Sequence, residues 1–518
     1  MSRFASGWRA AGLLLPVTSL PSPYGVGDLG PEAERFGLFL RSAGLNFWQI
    51  LPTVPTSPAL GNSPYSSFSA FAGSELLVSP DNMALRGYLR PGELEGARLP
   101  PDGPVDYPQA IARKTALIDF AFARVETTVL DSPPFQEFLA RHASWLNDYA
   151  LFVAAKAYFQ DVSWVRWPQD LKDRHDPALA YYGNLLRRAI LRVKFGQYLF
   201  FQDLASLRDS LRENGVSLIG DAAFYLNHDS ADVWANRNLF CLNSQGETAL
   251  QAGVPPDYYS ETGQLWGNPV YDWPAHRASG YGWWKSRVQN DLALFNWVRL
   301  DHFRAFSAFW AVPAGELTAA KGAWRPGPGA EFFETLAEGR PLNVVAEDLG
   351  IITPDVTDLR RRFDLPGTRV LQFGAGDPTG LSIHCPFRIE PDNAVYSATH
   401  DNDTAVGWLK EELSNPAKKA LSELAGYAVT AENVSHAMVR LAWLSPGALA
   451  IATLQDVLGM DETARVNLPG TPTGNWTFRL PSLKALTPAV AESLANLSAI
   501  AGRDNYDHPN LLNYGEGN

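Results

Sequence analysis

The stretch LFFQDLASLRDSLRENGVSLIGD, residues 199–221, joins two structural patterns in one short segment. Its first part repeats apolar residues at the spacing of one helix face and ends on Asn214-Gly215, a typical helix stop. Its second part, VSLIGD, is a short apolar run that ends in an acid. A helix followed at once by a buried strand is typical of parallel α/β proteins. This segment therefore predicts a parallel sheet covered by helices.

Seven further apolar runs have the length and composition of buried strands. They are GLLLPV near 12–17, FWQIL at 47–51, WVRLD at 297–301, NVVAED at 343–348, TRVLQF at 368–373, AVYSAT at 394–399 and ALAIATL at 448–454. Together with VSLIGD at 216–221 they give eight strands that alternate with helical stretches. Eight such units predict a (β/α)8 TIM barrel, and a doubly wound open sheet is the alternative.

The strands are unevenly spaced, which indicates that insertions interrupt the barrel. About 165 residues separate the second strand from the third, and much of that segment has helical periodicity. We expect one catalytic barrel over residues 1–518. Its expected insertions are mainly helical at about 54–200, loop-rich and aromatic at about 222–285, and helical at about 403–445.

The composition excludes several classes of protein. A formal net charge of -12 argues against nucleic acid or an anionic membrane surface as a partner. No run approaches the roughly eighteen apolar residues of a membrane helix, and Pro16 interrupts the one N-terminal run that resembles a signal peptide. Cys241 and Cys385 are far apart and form no metal motif. We expect a cytoplasmic protein with no cofactor, no metal and no obligate protein partner.

Many aromatic residues occur in polar loops, where core packing does not explain them. Examples are PPDYYSETGQLWGNPVYDWP at 255–274 and SGYGWWKSR at 279–287. Tryptophan and tyrosine have flat apolar faces and one polar edge, which suits sugar rings. The loops therefore favour a carbohydrate ligand.

Acids fall at the ends of four predicted strands, where a barrel builds its active site. They are Asp221, Asp301, Glu347 with Asp348, and Asp401. Each acid could instead cap the helix that follows, which is common for aspartate. Helix capping fits Asp301 and Asp401 poorly, because HFRAF and NDT follow them. We therefore expect a cluster of carboxylates at one end of the barrel.

A carboxylate cluster flanked by Arg299, His302 and His400 suits the chemistry of a glycosidic bond. That reaction needs a proton donor for the leaving oxygen and a carboxylate that faces the anomeric carbon. Burial or carboxylate repulsion can keep the donor protonated, while a nearby arginine favours an ionised nucleophile. Arg299 lies two residues before Asp301, on the same face of the strand.

Three segments resemble signature blocks of one enzyme family. RLDHFRAF, VVAEDLG and ATHDNDT are similar to blocks of the 4-α-glucanotransferases called amylomaltases or disproportionating enzymes, glycoside hydrolase family 77. LLLPVTSLPSPYGVGDLG, NSPYSSFSAFAG, DSADVWAN and GYGWWKSR resemble further blocks, in the same order. The resemblance runs from about residue 12 to about residue 479. It implies transfer of an α-1,4-glucan segment to the 4-hydroxyl of glucose or a maltooligosaccharide, through a covalent intermediate.

The resemblance also implies a role for each matching residue. Asp301 would be the nucleophile, Glu347 the general acid/base and Asp401 the transition-state stabiliser. The residues expected on the donor side are Arg299, His400 and Asp221, with His302 also expected to bind substrate. The residues expected on the acceptor side and along the glucan groove are Asp257, Tyr258, Trp266, Asn268 and Tyr65. Asp348 is expected to support the site.

Two other functions remain open from the sequence. An α-amylase-type retaining hydrolase shares the barrel and the acids, and differs in letting water reach the covalent intermediate. A non-catalytic glucan-binding barrel needs the aromatic residues but has no use for three acids. Product analysis with maltotriose distinguishes the three functions.

Overall fold

Eight parallel strands close into a barrel within the described part of the computed structural model, which covers residues 7–100, 102–125, 128–256, 260–471 and 473–504. The strands in chain order are β1 (Ala10–Leu14), β2 (Phe47–Gln49), β3 (Ser217–Ala222), β4 (Leu250–Val254), β5 (Gln264–Pro269), β6 (Trp297–Leu300), β7 (Ala308–Pro313), β8 (Ala323–Pro326), β9 (Val344–Ala346), β10 (Gly367–Val370), β11 (Asn393–Tyr396) and β12 (Leu449–Thr453). Eight of these strands form the barrel, in the order β1-β12-β11-β10-β9-β6-β3-β2, and β4, β5, β7 and β8 form a separate sheet. The predicted TIM barrel and its strands are confirmed.

The barrel strands read as apolar runs because both of their faces are covered. Their inner side chains include Phe47, Ile219, Val345 and Ile451, all fully buried. The helices are α1 (Pro31–Ser42), α2 (Pro80–Leu85), α3 (Pro91–Ala97), α4 (Tyr107–Val125), α5 (Pro133–Arg141), α6 (Ala143–Tyr158), α7 (Gln169–Lys172), α8 (Asp176–Leu185), α9 (Arg187–Glu213), α10 (Ala231–Ala235), α11 (Trp273–Ala278), α12 (Gly282–Leu294), α13 (Gly329–Ala337), α14 (Pro354–Arg362), α15 (Ala405–Gly407), α16 (Asn415–Ala425), α17 (Val434–Leu444), α18 (Leu454–Val457) and α19 (Pro488–Ile500). In the described ranges, none of these helices has the length and apolarity needed to cross a bilayer.

The helix of residues 199–215 is the second half of α9. Its C-cap is Asn214, and Gly215 follows with a φ of 71°, a left-handed conformation that glycine adopts without a Cβ clash. The chain then enters β3 almost at once, where all six residues are buried. The end of α9 therefore lies just before the strand that carries Asp221.

The long segment between β2 and β3 contains α2 to α9. A buried ion pair fastens it to the barrel loops, since Lys114 Nζ in α4 lies 2.8 Å from Asp28 Oδ2. The same ammonium group donates hydrogen bonds to the carbonyls of Leu76 and Val78, at 2.8 and 3.1 Å. These bonds compensate the buried charge and fix the helical segment beside the barrel.

A second sheet lies outside the barrel. Its strand order is β5-β4-β7-β8, with all neighbours antiparallel. Two of its strands, β4 and β5, lie in the segment expected to be loop-rich. The sheet carries Trp266 and Asn268 towards the end of the barrel where the predicted acids lie.

The first and last barrel strands pair from Ala10–Leu449 to Leu14–Thr453. Arg503 lies beside this seam, and its side chain is fully buried. Its guanidinium donates hydrogen bonds of 2.7–3.1 Å to the backbone carbonyls of Ala10, Trp443, Ser445, Gly447 and Ala448. One side chain thus joins both strands at the end of the barrel away from the acids.

Candidate active site

The structure brings the predicted acids together at the carboxyl end of the barrel. Asp221 occupies the second-last position of β3, Asp301 follows β6 and Glu347 follows β9. The backbone N–H of Glu347 donates to the carbonyl of Leu300 at 3.0 Å, which holds the ends of β6 and β9 side by side. Asp401 lies on the loop after β11. This end of a TIM barrel is where active sites are found.

Arg299 connects two of the carboxylates. Its Nη1 lies 2.8 and 2.9 Å from the two oxygens of Asp221, and its Nη2 lies 3.0 Å from Oδ1 of Asp301. The arginine side chain is 7% exposed, so these charge-assisted bonds are shielded from water. Burial raises the pKa of Asp221, and the charge of Arg299 opposes that rise. The guanidinium therefore fixes the position of Asp301 against a rigid, buried partner.

Tyr65 continues this network towards Asp401. Its hydroxyl lies 2.7 Å from Oδ2 of Asp221 and 3.4 Å from Nδ1 of His400. The tyrosine and histidine rings stack with centroids 5.0 Å apart, and Trp476 contacts both rings. Burial raises the pKa of Tyr65 well above its usual value, so the hydroxyl keeps its proton. The stack orients His400, whose Nε2 lies 3.4 Å from Oδ2 of Asp401.

Glu347 is held as an uncharged acid. Its Oε2 accepts a hydrogen bond of 2.7 Å from the backbone N–H of His302, and its Oε1 accepts one of 3.2 Å from that of Leu349. Burial and the nearby charge of Asp301 raise the pKa of Glu347 to about 8, although Arg299 and the His302 N–H oppose the rise. At neutral pH the carboxyl therefore carries a proton that it can donate.

Asp401 is the most accessible of the three expected catalytic acids, with 47% of its side chain exposed. Its Oδ1 accepts a hydrogen bond of 2.6 Å from Nδ2 of Asn467. Nη2 of Arg465 donates to its backbone carbonyl at 3.0 Å. Sequence reasoning missed Asn467, Arg465 and Trp476. No short-range motif could have revealed the first two, because they are more than sixty positions from Asp401.

The expected acceptor side has an exposed aromatic face. Trp266 is 39% exposed and meets the ring of His302 edge to face, with centroids 4.9 Å apart. Burial lowers the pKa of His302 to about 4, so this ring is neutral at pH 7. Nδ2 of Asn268 donates to the carbonyl of Leu226 at 2.9 Å, which ties β5 to the loop after β3. Asp257 and Tyr258, also expected here, lie outside the described residues.

The contacts of Asp348 lie outside this cluster. Its carboxylate lies 3.0 Å from Nη1 of Arg369 and 3.3 Å from Nε of Arg360, and it accepts a hydrogen bond of 2.7 Å from the N–H of Thr368. These contacts tie the end of β9 to β10 and α14. Among the residues that the structure describes, no three histidine, cysteine or acidic side chains form a group able to hold a metal ion.

Comparison with known proteins identifies the family of this chain. A family model described as 4-alpha-glucanotransferase matches residues 15–485. A 4-alpha-glucanotransferase of Synechocystis sp. is 44% identical over 477 residues, which cover 91% of this chain and 94% of that protein. A 4-alpha-glucanotransferase of Thermus thermophilus is 42% identical, and the match covers 94% of this chain and 99% of the relative.

Solved structures show the same likeness. An amylomaltase from Streptococcus agalactiae, in complex with acarbose, superposes with a TM-score of 0.92 at 32% identity, over 96% of this chain and 100% of the other. An amylomaltase from Corynebacterium glutamicum, at 18% identity and a TM-score of 0.77, covers 97% of this chain and 76% of its own length and shares the fold. The chain is therefore a member of the 4-alpha-glucanotransferase family, the amylomaltases.

Proposed function

We propose that this 4-alpha-glucanotransferase works by retaining double displacement, with Asp301 as nucleophile and Glu347 as general acid/base. The observation that carries the proposal is the difference between the two carboxyl groups. Asp301 is ion-paired with Arg299 at 3.0 Å, whereas burial and carboxylate repulsion raise the pKa of Glu347 to about 8. Two carboxyl groups in opposite protonation states are what a retaining glycosyl transfer requires.

In the first step, Asp301 attacks the anomeric carbon of the donor glucan. The bond from that carbon to the glycosidic oxygen breaks as Glu347 delivers its proton to the oxygen. The shortened glucan leaves with a new 4-hydroxyl, and the rest of the donor stays on Asp301 as a glycosyl ester. The now ionised Glu347 keeps its hydrogen bond from the N–H of His302, which stabilises the negative charge.

In the second step, Glu347 removes the proton from the 4-hydroxyl of an acceptor. The acceptor oxygen attacks the anomeric carbon, the ester bond to Asp301 breaks, and both carboxyl groups return to their starting states. Two inversions at one carbon give overall retention of the α configuration. An acceptor of glucose or a maltooligosaccharide gives disproportionation, whereas water in its place gives hydrolysis.

We assign the donor side to Asp401, His400 and Arg299. Asp401 is half exposed and next to His400, so a bound sugar can reach its carboxylate. A carboxylate in that place stabilises the positive charge that develops on the sugar ring in the transition state. Asp221 and Tyr65 act through Arg299 and His400, which they hold by hydrogen bonds.

We assign the acceptor side to Trp266, Asn268 and His302, with Asp257 and Tyr258 on the adjoining loop. Trp266 offers an exposed ring face for an incoming sugar. A sugar seated there excludes water from the intermediate, which favours transfer over hydrolysis. Transfer to a sugar acceptor then depends on this aromatic surface.

We further propose one catalytic unit over residues 1–518, with insertions at about 54–200, 222–285 and 403–445, located in the cytoplasm and acting without a protein partner. Cys241 and Cys385 are both free thiols, which suits a reducing compartment.

The test is product analysis with maltotriose. Transferase activity gives glucose together with a ladder of longer maltooligosaccharides. The variant Asp301→Asn should lose at least about 10⁴-fold in turnover, because an amide of the same shape is a poor nucleophile. Asp131→Asn, at an exposed position between α4 and α5, is the matched control and should retain full activity. Products that only shorten would indicate a hydrolase, and activity of Asp301→Asn within tenfold of the unmodified enzyme would refute the nucleophile assignment.

A further inference from the structure

A second cleft, with a volume of about 360 Å³, opens between α6, α10 and the start of α12. None of the residues assigned to catalysis lines it. Its volume lies in the range of about 300–1,000 Å³ that is typical of small-molecule sites. Ser69 and Phe71 form one wall, and they belong to the same segment as Tyr65 of the active site. The cleft is therefore a separate site, connected through the backbone to the catalytic groove.

Aromatic rings form one side of this cleft. Phe71 stacks on Trp145 with ring centroids 6.1 Å apart and an angle of 14° between the planes. Trp283 meets Phe71 edge to face, at 5.8 Å and 89°. Phe71 and Trp145 are buried, whereas Trp283 is partly exposed, so Trp283 provides the accessible aromatic surface and the other two rings support it. An accessible aromatic surface matches the apolar face of a sugar ring.

Polar groups complete the lining, and Asp232 is the more buried of its two aspartates. Its side chain accepts hydrogen bonds from Nε1 of Trp283 at 3.2 Å, from the N–H of Ala70 at 2.9 Å and from the side chain of Ser69. Within the described ranges Asp232 forms no ion pair, although it is only 6% exposed. A carboxylate has about four lone-pair sites and these donors use three of them, so Asp232 can accept one further hydrogen bond from a hydroxyl group. A hydroxyl donor would offset the cost of burying this carboxylate.

The rest of the lining is suited to a neutral ligand. The carboxylate of Asp148 is already bound to Nη2 of Arg174 at 2.6 Å. Asn236, Asn238 and several serines contribute uncharged hydrogen-bonding groups. An apolar ring face with hydroxyl groups around its edge fits these features, whereas an anion would be repelled by both aspartates.

We propose that this cleft is a second glucan-binding site. The proposal rests on the proposed function in one respect, since it takes the ligand to be the enzyme's own substrate class. A long glucan held here raises the local concentration of its chain near the catalytic groove. Short substrates such as maltotriose gain nothing from it, because they cannot extend from one site to the other.

Two variants fill the cleft without removing a packed side chain. Ser144 and Ser286 are exposed serines of the lining, in α6 and α12. The variants Ser144→Tyr and Ser286→Tyr place a ring in the cleft from opposite sides. Ser206→Tyr, at an exposed helical serine of α9 outside the cleft, is the matched control.

Maltohexaose binding is measured by calorimetry in the Asp301→Asn background, where turnover does not consume the ligand. Two binding steps are expected for Asp301→Asn and for its combination with Ser206→Tyr. One of these steps should be lost with Ser144→Tyr or Ser286→Tyr. In the active enzyme, the same two substitutions should raise KM for amylose at least roughly fivefold and leave kcat/KM for maltotriose unchanged.

A single binding step in every protein, or equal weakening of both steps, would overturn the proposal. Failure of the proposed function has a different signature, since the unmodified enzyme would then give no ladder from maltotriose whatever the number of binding steps. If either Ser144→Tyr or Ser286→Tyr fails to fold, as seen by loss of its thermal transition, the binding and kinetic results of the other variant test the proposal.

Discussion

Replacing Glu347 by glutamine should stabilise the protein, and more so as the pH rises. In the folded protein the pKa of Glu347 is raised from 4.5 to about 8, mainly by burial and secondly by the charge of Asp301. In the unfolded chain the carboxyl group is exposed and keeps its ordinary pKa. The folded state therefore binds this proton more tightly than the unfolded state does. Its contribution to stability is fully present below pH 4.5 and is lost as the pH rises through 8.

The magnitude follows from the two pKa values. Each pKa unit corresponds to about 1.4 kcal/mol, so the full difference corresponds to roughly 5 kcal/mol above pH 8. Glutamine resembles the protonated acid and never ionises. The free energy of unfolding of Glu347→Gln should thus equal that of the unmodified protein at pH 4 and exceed it by up to roughly 5 kcal/mol at pH 9.

The assay is the midpoint of thermal unfolding, Tm, measured at a series of pH values from 4 to 9. For a chain of this length, 5 kcal/mol corresponds to a rise in Tm of roughly 4–5 °C. Asp131→Asn, which replaces an exposed carboxylate, should show no such trend. A difference in Tm that stays constant with pH, or that shrinks towards alkaline pH, would refute the protonated state assigned to Glu347.

Four further predictions concern single side chains. Arg299→Lys should lower kcat about 10²-fold, because an ammonium group cannot contact the carboxylates of Asp221 and Asp301 at once as the guanidinium does. The circular dichroism spectrum should stay unchanged. Activity within threefold of the unmodified enzyme would contradict the bridging role. Tyr65→Phe removes the 2.7 Å hydrogen bond to Asp221 but keeps the ring stacked on His400, so kcat should fall about tenfold. An unchanged kcat would show that the hydroxyl group is dispensable. Trp266→Ala should raise the ratio of hydrolysis to transfer at least about fivefold, because its exposed ring would no longer hold a sugar acceptor in place of water. The measurement compares the new reducing ends formed from maltotriose, which report hydrolysis, with the free glucose released. If both reactions fell equally, Trp266 would be a general binding residue. Burial lowers the pKa of His276 to about 4 in the folded state, so the free energy of unfolding should fall as the pH drops from 6.5 towards 4. The urea midpoint of His276→Leu should fall less over this pH range than that of the unmodified protein. An equal fall would show that other groups cause the acid sensitivity.

The barrel could be predicted because its strands are buried on both faces and therefore stand out as apolar runs. β12, with the sequence LAIAT, is fully buried and contains no turn residue. The outer sheet had no comparable signal. β5 reads QLWGNP, half of its residues are exposed, and it contains glycine, asparagine and proline, so its sequence predicts a loop. It is a strand because β4 supplies paired backbone groups, and that pairing is a tertiary contact.

For the site, the positions of the acids could be predicted from the sequence, but the contacts that hold Asp401 could not. Asp221 lies near the end of β3, and Asp301 and Glu347 directly follow their strands. Parallel strands bring their carboxyl ends to one edge of the barrel. The contacts that hold Asp401 come from Asn467, which is 66 positions away and belongs to an irregular segment. Hydrogen bonds between irregular segments have no periodic signature, so the sequence pattern does not reveal them.

The fully buried arginine at the barrel seam has a consequence for how the protein is made. Arg503 completes the seam by bonding to the carbonyls of Ala10 in β1 and of Ala448 just before β12, and these two strands are far apart along the chain. On a ribosome, β1 therefore leaves the exit tunnel hundreds of codons before its permanent neighbour is synthesised. During that interval its open edge can pair with other chains, which is the usual route to aggregation of nascent proteins. A stop codon placed just before position 503 should consequently lower soluble yield far more than it lowers the activity of the molecules that do fold.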